Sequence, residues 1–372
     1  MPMPMLFGSG LKSEGYSMQI SDLAREDIRD MIPYEPHMFS NVIKLDANEN
    51  PHLFPEEVRR EIFNRVSGDS FTRYPDPMGH QLKSKIAEIT GMKPENVVLG
   101  NGSDELIQLI LQTFGGPGKR VVIPVPTFSM YKIHGQITGT QPVEVPRDEK
   151  FDLVNDNLLP EIKHPDTRVT FIATPNNPTG NSVPLEQICY LVENTDSLVV
   201  VDEAYIDFGG ETALPLLRKY PNMVILRTFS KVALAGLRIG YLVAHPDVTR
   251  ELLKVKQPYN VNAFSQIAAV TVLDFWPSFR RQIEEIISER ERLVNQLQKS
   301  PGVTVYPSQA NFILFRVQES AAKHHQYLLE QNILIRMGLG QTHGLEDCLR
   351  VTVGTRQEND LFLEKMNKSL II

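Results

Sequence analysis

Between about residue 80 and residue 245, short runs of aliphatic and β-branched residues recur, each separated from the next by a stretch of helical periodicity. The runs fall at 97–99, 121–124, 169–173, 198–202, 224–228 and 240–244. A strand that leads through a helix into another strand is the unit of a parallel sheet covered by helices on both faces. Strands in such a sheet are buried on both sides, which is why these runs are apolar throughout instead of alternating. Residues 103–114 illustrate the intervening helices. Ser103 is placed to cap the helix, Asp104 and Glu105 suit its positive end, and Ile107, Ile110, Leu111 and Phe114 form one apolar stripe. The glycines and proline at 115–118 then end it.

At 372 residues the chain exceeds what one small core requires, and the pattern changes from about residue 278. Ile283, Ile286, Ile287, Val294 and Leu297 mark a long amphipathic helix leading out of the sheet region. Strand-like runs occur after it at 312–317, 333–336 and 349–353, with a helix around 320–331, so a smaller α+β unit is expected. The expected organisation is a segment at 1–50 that packs on the small domain or on a partner subunit, a large domain at 51–275, and a small domain at 276–372. No internal repeat is visible.

A formal charge of −7, from 38 basic and 45 acidic residues, provides no positive field, and no local basic cluster compensates for it. Nucleic acid and anionic membrane surfaces are therefore not expected partners. The two cysteines, Cys189 and Cys348, match no metal-ligand or redox spacing, and no metal is expected. The first residues lack the basic and apolar regions of a signal peptide, and no apolar run reaches membrane-spanning length, so a cytoplasmic location is expected.

Open parallel sheets bind ligands beyond the carboxyl ends of their strands, so polar residues that close those strands carry the functional information. Four clusters do so: GNGSDEL at 100–106, TPNNPTG at 174–180, VVVDEAY at 199–205 and TFSKVALAGLRIG at 228–240. Lys231 comes just after an apolar strand and has Arg238 seven positions on. A desolvated amine beside other cations has a lowered pKa and attacks carbonyls, although a lone Ser-Lys pair is more often a solvated surface lysine. Asp202 ends the most apolar strand and requires either a cation or strong hydrogen bonds, or else caps the next helix.

Taken together, these clusters occur in the order and spacing of a known family. Asn-Pro-Thr-Gly at 177–180, Asp-x-x-Tyr at 202–205, Ser-Lys at 230–231 and Gly-Leu-Arg-x-Gly at 236–240 resemble the fold type I pyridoxal-phosphate-dependent aminotransferases over nearly the whole chain. The resemblance implies a large α/β domain with a mostly parallel seven-stranded sheet flanked by helices, plus a smaller α+β domain. It further implies that Lys231 bonds covalently to pyridoxal 5'-phosphate and shuttles a proton, and that Asp202 keeps the pyridine nitrogen protonated. Asn177 and Tyr205 would meet the cofactor's phenolic oxygen. Ser103, Asp104, Ser230 and Arg238 would form its phosphate cup, with the backbone N–H of Asp104 facing the anion and its carboxylate turned away. Phe128 would stack on the ring where many relatives use tyrosine, and Tyr74 would cross from a neighbouring subunit, which implies a homodimer.

LDANENP at 45–51, RYPDP at 73–77, GNGSDELI at 100–107, ILIR at 333–336 and CLRVTVGT at 348–355 resemble, more narrowly, the histidinol-phosphate aminotransferases. In that family Arg336 and Arg350 would meet the anionic ends of glutamate, 2-oxoglutarate and histidinol phosphate. Tyr34, Asn48 and Asn177 would also lie near the substrate. The motifs leave three other readings open: an aromatic amino-acid aminotransferase, a threonine-phosphate decarboxylase, and a noncatalytic cofactor-binding sensor, the last disfavoured because no basic helix-turn-helix segment precedes the fold.

Overall fold

The computed structural model describes residues 20–29, 31–33, 39, 41–339 and 344–371. The chain divides into two units, residues 1–37 and 38–372. Within the first, the described residues form a 3-10 turn, Ile20–Leu23, and one helical turn, Glu26–Arg29.

Among its described residues the second unit has twelve strands: β1 (Ile43–Leu45), β2 (Val97–Gly100), β3 (Arg120–Val125), β4 (Gln141–Pro146), β5 (Thr167–Ala173), β6 (Leu198–Asp202), β7 (Met223–Thr228), β8 (Gly240–Ala244), β9 (Val303–Val305), β10 (Phe312–Val317), β11 (Ile333–Ile335) and β12 (Cys348–Thr352). Seven of them form one sheet in the order β2-β8-β7-β6-β5-β3-β4. The central pairs are parallel, and β8 alone runs against its neighbours β7 and β2. Every residue of β6 and β8 is buried, as expected for strands covered on both faces.

Both faces are closed by helices whose apolar stripes match the sequence periodicity. On one face lies Ser103–Phe114, which buries Leu106, Ile107, Ile110 and Leu111. Each such side chain contributes about 1.5–3 kcal/mol when fully removed from water. Its N-cap is Gly102, at φ 84°, and not Ser103, which is the first helical residue. Glycine suits this position because a positive φ disfavours larger residues and a Cβ would stand 2.7 Å from the Arg238 guanidinium. The orphan N–H of Asn101 is instead taken by the Glu105 carboxylate at 2.5 Å.

Three strands escape sequence detection, the short β1 and β9 and, within the large sheet, β4. β4, QPVEVP, carries two prolines and reads as a breaker, yet it pairs in parallel with β3 at the edge of the sheet. An edge strand leaves one row of its backbone groups unpaired, so proline's missing N–H costs little there.

The long helix Trp276–Leu297 buries Phe279, Ile283, Ile286, Leu293 and Leu297 along one stripe and leads to a three-stranded antiparallel sheet, β12-β10-β9. β11 pairs in parallel with β1, so the N-terminal residues 43–45 are stitched to residues 333–335. Leu45, Leu293, Ile313, Phe315, Ile333, Val351 and Phe362 form a core of their own around these short strands. Among the described residues, no helix is long and apolar enough to cross a membrane.

Candidate active site

The carboxyl ends of β2, β5, β6 and β7 lie on one edge of the large sheet, and because β8 is antiparallel, its amino end lies there too. The register makes this quantitative, since Gly100 pairs with Gly240 and Thr228 pairs with Gly240 from the other side. Segments 100–104, 228–231 and 238–240 are thereby juxtaposed, although they lie up to about 140 positions apart. Glycine at 240 is required for the approach, because a Cβ there would come within 2.5 Å of the Ser103 backbone nitrogen.

These segments form a concave anion site. Arg238, held at φ 53° immediately before β8, directs Nη1 to the Ser230 hydroxyl at 3.5 Å and Nη2 to Asp104 at 2.7 Å. Ser230 is buried, and its hydroxyl also accepts from Thr228 at 2.9 Å. The helix Ser103–Phe114 points its N-terminus, with unpaired N–H groups and positive dipole, into the same place. Asp104 departs from expectation: its carboxylate does not turn away but pairs with Arg238. A forked cation within reach is a better partner for a half-exposed carboxylate than water alone, and it fixes the guanidinium in the cup.

Asp202, at the end of β6, is enclosed by protein. Its Oδ2 accepts the Tyr131 hydroxyl at 2.7 Å and its Oδ1 accepts the Ala204 N–H at 3.0 Å. No lysine or arginine pairs with it among the described residues. Burial pushes its pKa up to about 6, opposed by those two hydrogen bonds and assisted by the negative charges of Asp104 and Glu203. The next residue is built differently. Glu203 is also buried, but it accepts from Thr212, the Ala213 N–H and the Arg227 guanidinium, so its charge is compensated.

Lys231 lies between these groups and the residues preceding Asn48. Its Nζ donates to the Ala47 carbonyl at 3.4 Å and stands 5.7 Å from the Tyr205 ring centroid. Tyr205 is buried edge-on against Phe312. Its hydroxyl accepts from Asn48, which is buried at φ 56° and locked by Thr352 and Asn311. The Asn48 amide thereby sets the Tyr205 hydroxyl.

Arg350, on β12, reaches across from the small sheet. Its guanidinium donates to Asn177 Oδ1 and to the Asp46 carbonyl, both at 2.5 Å, and it lies 5.2 Å from the Phe312 ring centroid. Arg336 pairs with it through the backbone, N–H to carbonyl in both directions at 2.9 Å. Two arginines thereby stand side by side where the small sheet meets the large one. Phe128 lies half-buried, edge-to-face with Tyr131.

One expected residue is not brought into this cluster within the single chain. Tyr74 is 82% exposed and stacks on Tyr259 at 4.6 Å, with no described hydrogen bond linking it to the other site residues. Tyr34 lies outside the described residues. One residue was missed, namely Tyr131. Its signal was present in PTFSMY, since Tyr131 lies three positions after Phe128, the spacing that puts both on one side of a helical turn.

The donor set fits a phosphorylated, cationic aromatic aldehyde. The glycine-lined cup of Ser103, Ser230 and Arg238 suits a phosphate, the uncompensated carboxylate of Asp202 suits a protonated ring nitrogen, and the amine of Lys231 suits a carbonyl. Residues 40–366 match the family model described as aminotransferase class I and II. Histidinol-phosphate aminotransferase 1 of Carboxydothermus hydrogenoformans is 48% identical over 93% of this chain and 98% of its own length. The histidinol-phosphate aminotransferase of Aquifex aeolicus is 38% identical, covering 92% of this chain and 97% of its own. Among solved structures, histidinol-phosphate aminotransferase from Sinorhizobium meliloti, in complex with pyridoxal-5'-phosphate, matches with a TM-score of 0.81 at 26% identity, over 88% of this chain and 90% of that one. By family-model match and near full-length similarity, this chain belongs to the class I and II aminotransferases, which use pyridoxal phosphate, and within them to the histidinol-phosphate aminotransferase family.

Proposed function

We propose that this chain transfers an amino group between L-histidinol phosphate and 2-oxoglutarate, giving imidazole acetol phosphate and L-glutamate, a step of histidine biosynthesis. The observation that carries the reading is the 48% identity to a histidinol-phosphate aminotransferase over almost the entire length of both chains. The protein would act as a cytoplasmic homodimer on small molecules, with no nucleic-acid or membrane partner.

Pyridoxal phosphate, when bound, supplies an aldehyde that condenses with amines and a protonated ring that accepts electron density. Arg238, the Ser230 hydroxyl and the N–H groups at Ser103 and Asp104 would hold its phosphate, with Tyr74 added from a second copy of the chain. Phe128 would cover one ring face, and Asn177 and Tyr205 would meet its phenolic oxygen. Asp202 would keep a proton on the ring nitrogen, since a carboxylate in contact favours the cationic form. Lys231 Nζ would take the proton from the amino-bearing carbon of the donor and return it on the other side of the transfer, as covalent partner and general base in one residue.

The arginine pair would account for the substrate range. Glutamate carries two carboxylates, and histidinol phosphate carries a phosphate and no α-carboxylate, so the site must accept planar and tetrahedral oxyanions alternately. Arginine's forked donors serve both. Asn48 would act beside the substrate through the Tyr205 hydroxyl that it fixes, and Tyr34 is assigned to the substrate by family resemblance alone.

Arg350→Ala is expected to weaken both half-reactions, lowering kcat/KM for glutamate and for histidinol phosphate by roughly 10²-fold. Arg350→Lys should recover only part, because a point charge cannot reproduce the fork. Single-turnover absorbance with each donor checks this, and a loss confined to one substrate would contradict a shared anion site. The function itself is tested by half-reaction spectra of the purified enzyme with a panel of donors. Histidinol phosphate and glutamate are expected to convert the cofactor fastest. Preferred conversion by phenylalanine would favour an aromatic aminotransferase, and release of carbon dioxide without an oxo-acid acceptor would favour a decarboxylase.

A further inference from the structure

We propose that Tyr131 is a positioning residue that holds Asp202 in its ionised form and in one orientation. The inference rests on the assignment of Asp202 to the ring nitrogen, and it goes beyond it by naming what keeps that acid charged.

Asp202 has two hydrogen-bond donors, and one is the backbone N–H of Ala204 in its own turn. The other, at 2.7 Å, is the Tyr131 hydroxyl, the single side-chain donor to this carboxylate among the described residues. An apolar enclosure favours the protonated acid, whereas donors to the charged form favour the carboxylate. The phenol therefore opposes the burial that acts on Asp202. Its reach is imposed by packing, since the ring is 1% exposed and lies parallel to Phe171 of β5 at 4.5 Å and 5°. Phe128 closes its edge at 5.7 Å and 86°. A ring clamped on a face and an edge cannot swing its hydroxyl away without opening the core.

The neighbouring charges are disposed consistently. Asp104 and Glu203 both disfavour charge on Asp202, which makes an added donor necessary. Arg147, buried just after β4, acts on Tyr131 in the opposite sense to Asp202 and polarises the phenol toward donation. Tyr131 itself remains protonated, because burial and the adjacent carboxylate push its pKa far up. It is a donor at every pH at which the enzyme would work.

The test uses the full-length apoprotein, whose Asp202 carboxyl stretch is tracked by infrared titration and assigned by its absence in Asp202→Asn. Tyr131→Phe removes only the hydroxyl and is expected to make Asp202 an about tenfold weaker acid, raising its midpoint by about one pH unit. Site-specific 3-fluorotyrosine at 131 retains the ring and strengthens the donor, so its midpoint should fall. If Tyr131→Phe does not fold, the fluorinated protein decides alone, and unmoved midpoints in folded protein overturn the proposal. In the loaded enzyme the acid limb of kcat/KM should move upward in Tyr131→Phe while the high-pH plateau is kept. A shifted apoprotein midpoint with an unmoved acid limb would uphold the grip of Tyr131 on Asp202 and sink the role given to Asp202 in the reaction.

Discussion

Lys231→Ala protein is expected to fold, to bind pyridoxal phosphate without a covalent bond, and to lose turnover by about 10⁴-fold or more. The magnitude comes from removing a group that would supply both covalent and general-base catalysis, the second of which alone is typically worth about 10²–10⁴-fold. Little structure depends on this side chain. Its one described hydrogen bond, to the Ala47 carbonyl, is long at 3.4 Å. The two readouts are the mass retained on the protein after borohydride reduction, which should be present in the wild type and absent in the variant, and kcat with histidinol phosphate. Added methylamine should restore part of the rate, because the cavity left by the side chain can admit an external base. Turnover within tenfold of wild type would remove Lys231 from the mechanism.

Asp202→Ala is expected to lower kcat by about 10²–10³-fold while leaving KM for the anionic substrates nearly unchanged, the range observed when one preorganised electrostatic partner is removed from a reacting centre. The same carboxylate has a second, cofactor-independent signature. Its folded-state pKa of about 6 exceeds the ordinary value of 3.8, so the native state binds this proton more tightly than the unfolded state does. At low pH both states are protonated and the group is neutral in its effect. As pH rises from about 4 to about 6 the unfolded chain ionises first, and native stability falls, reaching a cost of roughly 3 kcal/mol near neutrality. The apoprotein of Asp202→Asn should therefore be more stable than wild-type apoprotein at about pH 7.5, and the advantage should vanish near pH 4. Thermal unfolding at the two pH values checks it. An advantage of equal size at both would show that something other than ionisation separates the variants. Such an energetic cost in the empty site is expected of a charge arranged for a cationic partner.

Glu203 and Asp202 are adjacent buried acids built in opposite ways. The two carboxylates are adjacent in sequence, and nothing in DEAY distinguishes them. In the fold, Arg227, Thr212 and the Ala213 N–H converge on Glu203, whereas Asp202 faces two neutral donors. The distinction arises from segments 9 to 71 positions away in the chain.

Most of the secondary structure was legible in the sequence. Apolar runs at 198–202 and 240–244 became strands with those bounds, 103–114 became a helix, and the motif residues Lys231, Asp202, Ser230 and Arg238 stand at strand ends on one edge. These were legible because hydrophobic period, helix-stop residues and strand-end polarity are local properties that a chain carries before it folds. Tertiary structure alone decided the rest. It admitted the proline-bearing strand β4 because the sheet had a free edge, and it placed the helix cap at Gly102, beside Arg238. It turned Asp104 toward Arg238, set Asn48 on Tyr205, backed Arg350 with Arg336, and brought Tyr131 to Asp202. Each of these depends on which strands lie side by side and in what register. Pairing of that kind is a non-local balance of burial and hydrogen bonding that no single segment encodes.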